Sequence, residues 1–539
     1  MNRDDDRQNP APSQTGLILF EDAHLLVVNK PAGINTHAPA PYAGEGLYDW
    51  LRHREPRWAS LAILHRLDKE TSGVLVFGKT PMANRSLLAQ FENHTVRKRY
   101  VLVSERGPDR DTLEAVSGIA RVGDRYAVKP LSPSSPRAQT RFRVLRRTAE
   151  RTWLEAEPLT GRTHQIRVHA SAHGFPILGD SLYGGAKWAR VCLHAQAITL
   201  RHPETQEPIT FAAEPDFESD PWLLLRRRLI DLEKTTACRL MHGAADGEPG
   251  WYMDQLGEHF LIQSESASIH PRLLALAHSL QARSIYYKRL ERNLRRVQPG
   301  EAGPQLVQGT VAPDRFLIRE NGLQFELSFQ EGYSTGLFLD QRDNRRRFLN
   351  NHVAADFPLF LQEPAGGEVL NAFAYTCGFS VCAAAGGART VSLDLSKKYL
   401  EWGRRNFVHN RLDPETHDFI YGDVFDWLKR LARKQRRFDA VILDPPTFSQ
   451  SKISGVFRAE SDYGKLLELA IPLLKKQAVL FMSTNAVSVT PERFVELAKR
   501  TATSCRRRFL AQHYVPQPID FPITRAEPSH LRSLWLRLG

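Results

Sequence analysis

The chain predicts an α+β unit on a mixed, largely antiparallel sheet, then a small α/β domain, then a doubly wound α/β unit, and three patterns predict it. Residues of about 17 to 215 read as short strands of alternating polarity separated by turns, with few helices. From about 316 onward strands and helical segments alternate regularly, the pattern of a parallel sheet with crossover helices. Between them the acidic, Pro-rich stretch His202–Pro221 reads as a domain edge and linker, followed by a mixed α/β segment. At about 150 residues per domain, 539 residues leave room for this division: a disordered leader 1–16, a first large unit 17–215, a linker and small domain 216–315, and a second large unit 316–539.

Bulk composition narrows the partners. The formal net charge is +13, and basic residues cluster at Arg226–Arg228, Lys288–Arg296, Arg345–Arg347, Arg433–Arg437 and Arg506–Arg508, which suits a polyanion such as nucleic acid. The polar N-terminus lacks the apolar core of a signal peptide, and no apolar run approaches the roughly 18 residues of a membrane span. Five scattered cysteines, without C-x-x-C pairs or zinc spacing, point to a reducing cytoplasm and no structural metal.

In the first unit "LLVVNK", "GVLVFGK", "RYVLVS", "TRFRVL" and "TWLEAEP" read as strands. Between two such runs, "LHRLDKETSG" (Leu64–Gly73) concentrates an imidazole, a guanidinium, two carboxylates and an ammonium. Asp68, beside Leu67 and Arg66, is placed to act as a nucleophile or base. Downstream, "GRTHQIRVH" supplies Arg162, His164, Gln165, Arg167 and His169, and alternation predicts a strand with Gln165, Arg167 and His169 on one face. H-R-L-D-x-x-T-S-G, then G-R-T-H-Q-I-R-x-H, then H-G-x-P-I-x-G-D-x-x-Y-G, with "FEDAHLLVVNKPAG" and "KRY" in order, resembles the RluA family of RNA pseudouridine synthases. The resemblance implies a catalytic Asp68, a Tyr100 that stacks on the flipped uracil, an Arg167 paired with the aspartate, and no cofactor. It makes Arg66, Arg162, His164, Gln165 and the run Arg97–Arg99 candidates for RNA contact.

In the second unit "EVLNAF", "TVSLDL", "DFIYGD", "DAVILDPP" and "AVLFMST" read as successive strands. A small-residue turn at Thr376–Gly378 follows the first, and Asp394 ends the second, where a doubly wound fold meets ribose hydroxyls. G-x-G-x-x-G is absent, which argues against a dinucleotide site. Asp423 is placed to read an adenine amino group, and Asp444-Pro445-Pro446 forms a rigid corner at the fourth strand's end. This arrangement resembles Rossmann-like class I S-adenosylmethionine-dependent methyltransferases. With "GLFLDQRDNRRR", it is similar to the RlmI and RlmK large-subunit rRNA enzymes over about residues 238–539. The implied S-adenosylmethionine site comprises Phe373, Tyr375, Thr376, Gly378, Asp394, Asp423, Asp444, Pro445 and Pro446, with Arg342 and Arg345 on RNA. One departure stands out: Cys377 replaces the family's glycine.

The methylated atom follows from what the chain lacks. Carbon-5 of cytosine is normally activated by an attacking cysteine, and the resemblance implies one after the fifth strand in the 5-methylcytosine members; there this chain reads Ser483, Thr484, Asn485, and the D-P-P segment has no cysteine either. Guanine N7 carries a free lone pair and needs only positioning. The expectation is a bifunctional enzyme acting on RNA, foremost large-subunit rRNA, as a pseudouridine synthase and a guanine-N7 methyltransferase. The alternatives are cytosine C5, guanine N2, or a noncatalytic RNA-binding assembly factor.

Overall fold

The structure is a computed structural model that describes residues 16–290, 303–331, 334–362, 366–451 and 453–539. The expected leader, apart from Gly16, and the basic cluster beyond residue 290 lie outside these residues. The chain forms two compact units. One comprises residues up to Ala38, Glu45–Leu51 and Ser60–Leu229; the other comprises Pro39–Gly44, Arg52–Ala59 and Ile230–Gly539. The division falls between Leu229 and Ile230, so helix Pro221–Leu229 counts with the first unit. Among the described residues, no helix is long and apolar enough to cross a membrane.

The first unit is built on an eleven-stranded sheet among the described residues, antiparallel except where Leu193–Arg201 runs parallel to Ser72–Gly78. The expected alternation is carried by an inner strand: along Thr152–Pro158, Thr152, Leu154, Ala156 and Pro158 are buried while the residues between are half-exposed. The parallel pairing explains the T-S-G ending of "LHRLDKETSG". Gly73 has φ +118°, and a Cβ there would lie 2.2 Å from the Ala195 carbonyl oxygen, so only glycine admits the neighbouring strand. Ser72 Oγ is held by His194 Nδ1 at 2.8 Å and by Arg190 at 2.6 Å. The stretch His202–Pro221 is not all linker: Pro208–Ala212 pairs with Leu193–Arg201 as an edge strand. Proline is tolerated at that strand's first residue, which is why its composition misleads.

The second unit carries a five-stranded sheet over Ala237–Gly309, with Phe260 and Ile262 in its core, and then the doubly wound sheet. The latter has seven strands in the order Asp418–Tyr421, Arg389–Asp394, Glu368–Ala372, Phe438–Leu443, Leu474–Thr484, Arg532–Leu538, Phe509–Val515. The first five run parallel, Arg532–Leu538 runs against them, and Phe509–Val515 returns to their direction. Helices cover both faces, so its central strands are continuous apolar runs: Val369, Leu370, Val441, Ile442, Leu443, Leu480 and Phe481 are all fully buried. This topology brings the ends of its first, second and fourth strands to one edge, where the sequence placed Asp394 and Asp444.

Candidate active sites

In the first unit the "HRLD" loop is fastened from beneath. Thr36 Oγ1 donates to the Leu67 carbonyl at 2.8 Å, and the Gly33 amide donates to the Lys69 carbonyl at 2.8 Å. Lys30, buried completely, donates to the carbonyls of Pro31, Ile34 and Lys69 at 3.0, 2.8 and 3.3 Å. Burial lowers its ammonium to about 7. His65 serves the same framework: its Nε2 accepts from the Val76 amide at 3.0 Å, and burial pushes the ring down to about 3, so it remains neutral. Asp68 thus emerges on a rigid loop with a quarter of its side chain exposed.

The segment after "GRT" is a helix, Gln165–Ala172, and not the expected strand. His164 heads it in the left-handed region, φ 54°, which turns the chain so that a polar run can wind instead of extend. Residues two apart on a helix point in different directions, whereas residues four apart share a face. Gln165 and His169 therefore both turn inward to Thr140 Oγ1, at 2.9 Å each. Arg167 points the other way. Its Nε and one terminal nitrogen grip Asp180 at 2.7 and 2.9 Å, and its other nitrogen lies 3.4 Å from Asp68 Oδ2 and 3.3 Å from Glu70. Burial opposes the guanidinium charge, but Asp180, Asp68 and Glu70 outweigh it and hold Arg167 protonated. Tyr100, half-buried, stays a neutral phenol because burial first, and the charge of Asp68 second, raise it. Arg66, Arg97, Arg99 and Arg162 are exposed, as an RNA contact requires. Gln165 is not: it is buried, and its amide is consumed by Thr160, Arg162, Gln139 and Thr140.

In the second unit a cavity of about 330 Å³ opens at the strand ends. Phe373, Tyr375, Asp394, Asp423, Asp444, Pro445 and Pro446 all line it. Thr376 and Gly378 do not. Thr376 is buried and bonds the Gly336 carbonyl at 2.5 Å, while Gly378 opens helix Gly378–Ala385. Asp394 accepts the amides of Tyr375 and Ser396, each at 2.8 Å, and burial raises its carboxyl above the ordinary range. Asp423 caps helix Val424–Arg433 through the Asp426 amide at 3.0 Å and accepts Ser454 Oγ at 2.5 Å. Burial alone would raise it, yet these bonds leave it lowered. Asp444 accepts Ser483 Oγ at 2.5 Å and Gln341 at 3.1 Å, and burial pushes it up to about 6.

Arg342 and Arg345 are not RNA contacts. Both are buried: Arg342 grips Asp520 at 2.8 and 2.6 Å, and Arg345 grips Glu320 at 2.7 and 2.7 Å. Helix Arg342–Leu349 is lined inside by charge that is neutralised inside, so the basic cluster Arg345–Arg347 gives no surface patch, and Arg226 is likewise buried. Sequence reasoning missed Phe338, Asp340, Gln341, Tyr399, Ser454 and Phe457, which also line the cavity. The first three lie within the very "GLFLDQR" motif that raised the resemblance, whereas the others carry no local signal.

The turn after the first strand is unusual in its backbone. Phe373, Tyr375 and Cys377 all take positive φ, at 63°, 49° and 62°, with Ala374 and Thr376 between them. Cys377 adopts the left-handed conformation a glycine would offer, and its side chain points away from the cavity toward Gly403, where an added Cβ would meet its Sγ at 2.3 Å. The substitution is accommodated by Gly403. Aromatic walls from Phe338, Phe373, Tyr375 and Phe457, with carboxylates at successive strand ends, fit a cationic adenosyl compound: Asp394 suits hydroxyl donors and Asp423 an amino group.

Comparison with known proteins agrees with this division. Residues 24–172 match the RNA pseudouridylate synthase family, and residues 292–534 match the S-adenosylmethionine-dependent methyltransferase family. A ribosomal RNA large subunit methyltransferase of Deinococcus radiodurans is 33% identical over 315 residues, 56% of this chain and 73% of that protein. The ribosomal large subunit pseudouridine synthase C of Vibrio vulnificus is 35% identical over 210 residues, 36% of this chain and 65% of that protein. The solved structure of SMU.776, a protein assigned as a methyltransferase and complexed with SAH, superposes with a TM-score of 0.50 at 26% identity, over 63% of this chain and 87% of that one.

Proposed function

We propose, for a chain that belongs to the S-adenosylmethionine-dependent rRNA methyltransferase family and carries an RNA pseudouridylate synthase domain ahead of it, that it converts uridine to pseudouridine and methylates guanine N7, both in large-subunit rRNA. The first activity rests on Asp68. A carboxylate on a fixed loop, backed by Arg167 and flanked by the half-buried ring of Tyr100, can act on a ribose while the detached base stays stacked. When bound, S-adenosylmethionine supplies the methyl group. The chain's own part is to hold the acceptor base at the Asp444-Pro445-Pro446 corner and exclude water.

One observation carries the choice of N7: among the described residues, no cysteine lines the cavity. Cys377 and Cys382 are fully buried elsewhere, and burial pushes the Cys377 thiol up to about 12, far from the thiolate that C5 chemistry needs. An acceptor with its own lone pair requires no such nucleophile. Five free thiols, four of them buried, suit a cytoplasmic enzyme.

Nucleoside mass spectrometry with position mapping, on ribosomal RNA from cells with and without the gene, tests this. The expected result is loss of one pseudouridine and one 7-methylguanosine. Loss of 5-methylcytidine or N2-methylguanosine overturns the N7 assignment. Unchanged RNA turns the reading to an assembly factor, which would keep its effect in Asp68→Ala and Asp444→Ala.

A further inference from the structure

His164, expected from the sequence to contact RNA, lies beside Asp68 in the structure. Its ring is pinned between two tyrosines, with Tyr126 at 5.5 Å and Tyr183 at 5.7 Å, both edge-on. Its Nδ1 lies 2.8 Å from the Tyr183 hydroxyl, and its Nε2 lies 3.9 Å from Asp68 Oδ2. The Tyr183 oxygen already accepts the Tyr126 amide at 3.1 Å, and among the described residues its hydrogen has no other acceptor than His164 Nδ1. Burial keeps the phenol protonated, so that hydrogen is present. A ring whose Nδ1 accepts must carry its proton on Nε2, the nitrogen that faces the carboxylate.

Arg167 addresses the same oxygen, Oδ2, at 3.4 Å, and among the described residues no hydrogen bond reaches Oδ1. We infer that His164 is a positioning residue of the pseudouridine synthase: fixed by Tyr183 as the neutral Nε2–H tautomer, it donates toward Asp68 Oδ2 together with Arg167 and leaves Oδ1 as the reacting oxygen. The 3.9 Å separation closes to a hydrogen bond when RNA packs the site, as catalytic contacts commonly do. The charged groups facing His164 are Asp68, Glu70 and Asp180, which favour the imidazolium, and Arg167, which opposes it; burial first, and Arg167 with it, outweighs the carboxylates and keeps the ring neutral near pH 7.

This rests on the pseudouridine reading, and the test separates the two. The full-length chain is given ribosomal RNA labelled with tritium at uridine C5, isolated from cells lacking the gene. Isomerisation breaks N1–C1′, forms C5–C1′, protonates N1 and releases the C5 tritium to water. Two substitutions oppose a merely structural role. Asparagine tolerates the left-handed backbone better than glutamine, but only glutamine places an N–H where Nε2 stood. The inference expects His164→Gln to keep kcat within about tenfold, and His164→Asn to lose on the order of a hundredfold, with KM little changed. The opposite ranking, or equal loss, overturns it.

Tyr183→Phe supplies a pH signature. Without the phenol, the neutral ring is free to carry its proton on Nδ1, whereas the imidazolium carries Nε2–H always. The deficit of Tyr183→Phe relative to the parent should therefore shrink as pH falls through the histidine's titration; a constant ratio overturns the inference. If the parent releases no tritium, the pseudouridine reading fails instead. The tautomer is then decided by ¹⁵N NMR of histidine-labelled protein, with His164 identified by its loss in His164→Gln. An unprotonated Nδ1 that changes in Tyr183→Phe supports the inference, and a protonated Nδ1 in the parent overturns it.

Discussion

The two units each present an aspartate near the end of a strand, and they treat it in opposite ways. Asp68 stands a quarter exposed, with Arg167 at 3.4 Å and His164 at 3.9 Å. Asp444 is held by two neutral donors, Ser483 and Gln341, and burial drives it up to about 6. The difference matches the chemistry proposed for each. A carboxylate proposed to attack or deprotonate stands beside a cation, Arg167, that can steady the charge of the reacting group. A carboxylate that awaits a cationic cofactor gains from being unpaired beforehand, because the ligand then brings the missing charge.

Removing each carboxylate breaks this comparison most severely. Asp68→Ala should abolish pseudouridine formation, by three orders of magnitude or more, and leave methylation unchanged. Asp444→Ala should do the reverse. Mass spectrometry of RNA modified by each variant reads both, and loss of both activities in either variant would show that the sites are not independent.

Next in size are the buried ion pairs. Arg167–Asp180 and Arg342–Asp520 are nearly solvent-free, with side-chain exposures of 3% and 1%, and of 4% and 0%. Deleting one partner strands a buried charge, at a cost of about 3–5 kcal/mol. Asp180→Ala and Asp520→Ala should each lower the urea midpoint of the unit that holds them. Only the former should also slow pseudouridine formation out of proportion to stability, because Asp180 fixes the guanidinium that faces Asp68.

These pairs also mark where sequence reading stopped. "LLVVNK" and "TWLEAEP" are strands to the residue, because one-sided or full burial writes itself into polarity with period two or none. Asp394, Asp423 and Asp444 were legible because topology alone fixes where strand ends meet. "QIRVH" alternates as perfectly and lies in the helix Gln165–Ala172, since eight residues cannot distinguish the two periods when tertiary partners such as Thr140 and Asp180 absorb the polar side chains. Likewise "RDNRRR" looks like surface. Its partners Glu320 and Asp520 are distant in sequence, and local composition does not reveal a buried network.

The pH behaviour of Asp444 sharpens the contrast at smaller scale. Its folded value, about 6, lies above the ordinary 3.8, so the folded state binds the proton more tightly than the unfolded one. Folding is therefore disfavoured by the ionised group above pH 6 and relieved as pH falls toward 4. Asp444→Asn should raise stability at pH 7 by about 1–2 kcal/mol, with the gain vanishing near pH 4, while methylation is lost. Denaturant titrations at pH 7 and pH 4 decide it; equal gains at both would mean that charge is not the cause.

The smallest effect belongs to Cys377, and two opposing terms set it. A non-glycine residue at φ 62° costs about 1–2 kcal/mol, which Cys377→Gly would recover. The same change removes a fully buried Sγ packed against Gly403 and helix Lys397–His409, leaving a small void worth about 1 kcal/mol. Backbone relief and lost packing nearly cancel, and glycine's greater unfolded-state entropy takes most of what remains. Cys377→Gly should leave the unfolding midpoint within about 1 kcal/mol of the parent and S-adenosylmethionine affinity, measured calorimetrically, within about threefold. Cys377→Gly with Gly403→Ala should then regain the packing, because the added Cβ occupies the volume the thiol leaves. A tighter cofactor in the single variant would instead mean that the thiol crowds the turn from inside and that the cysteine tunes affinity downward.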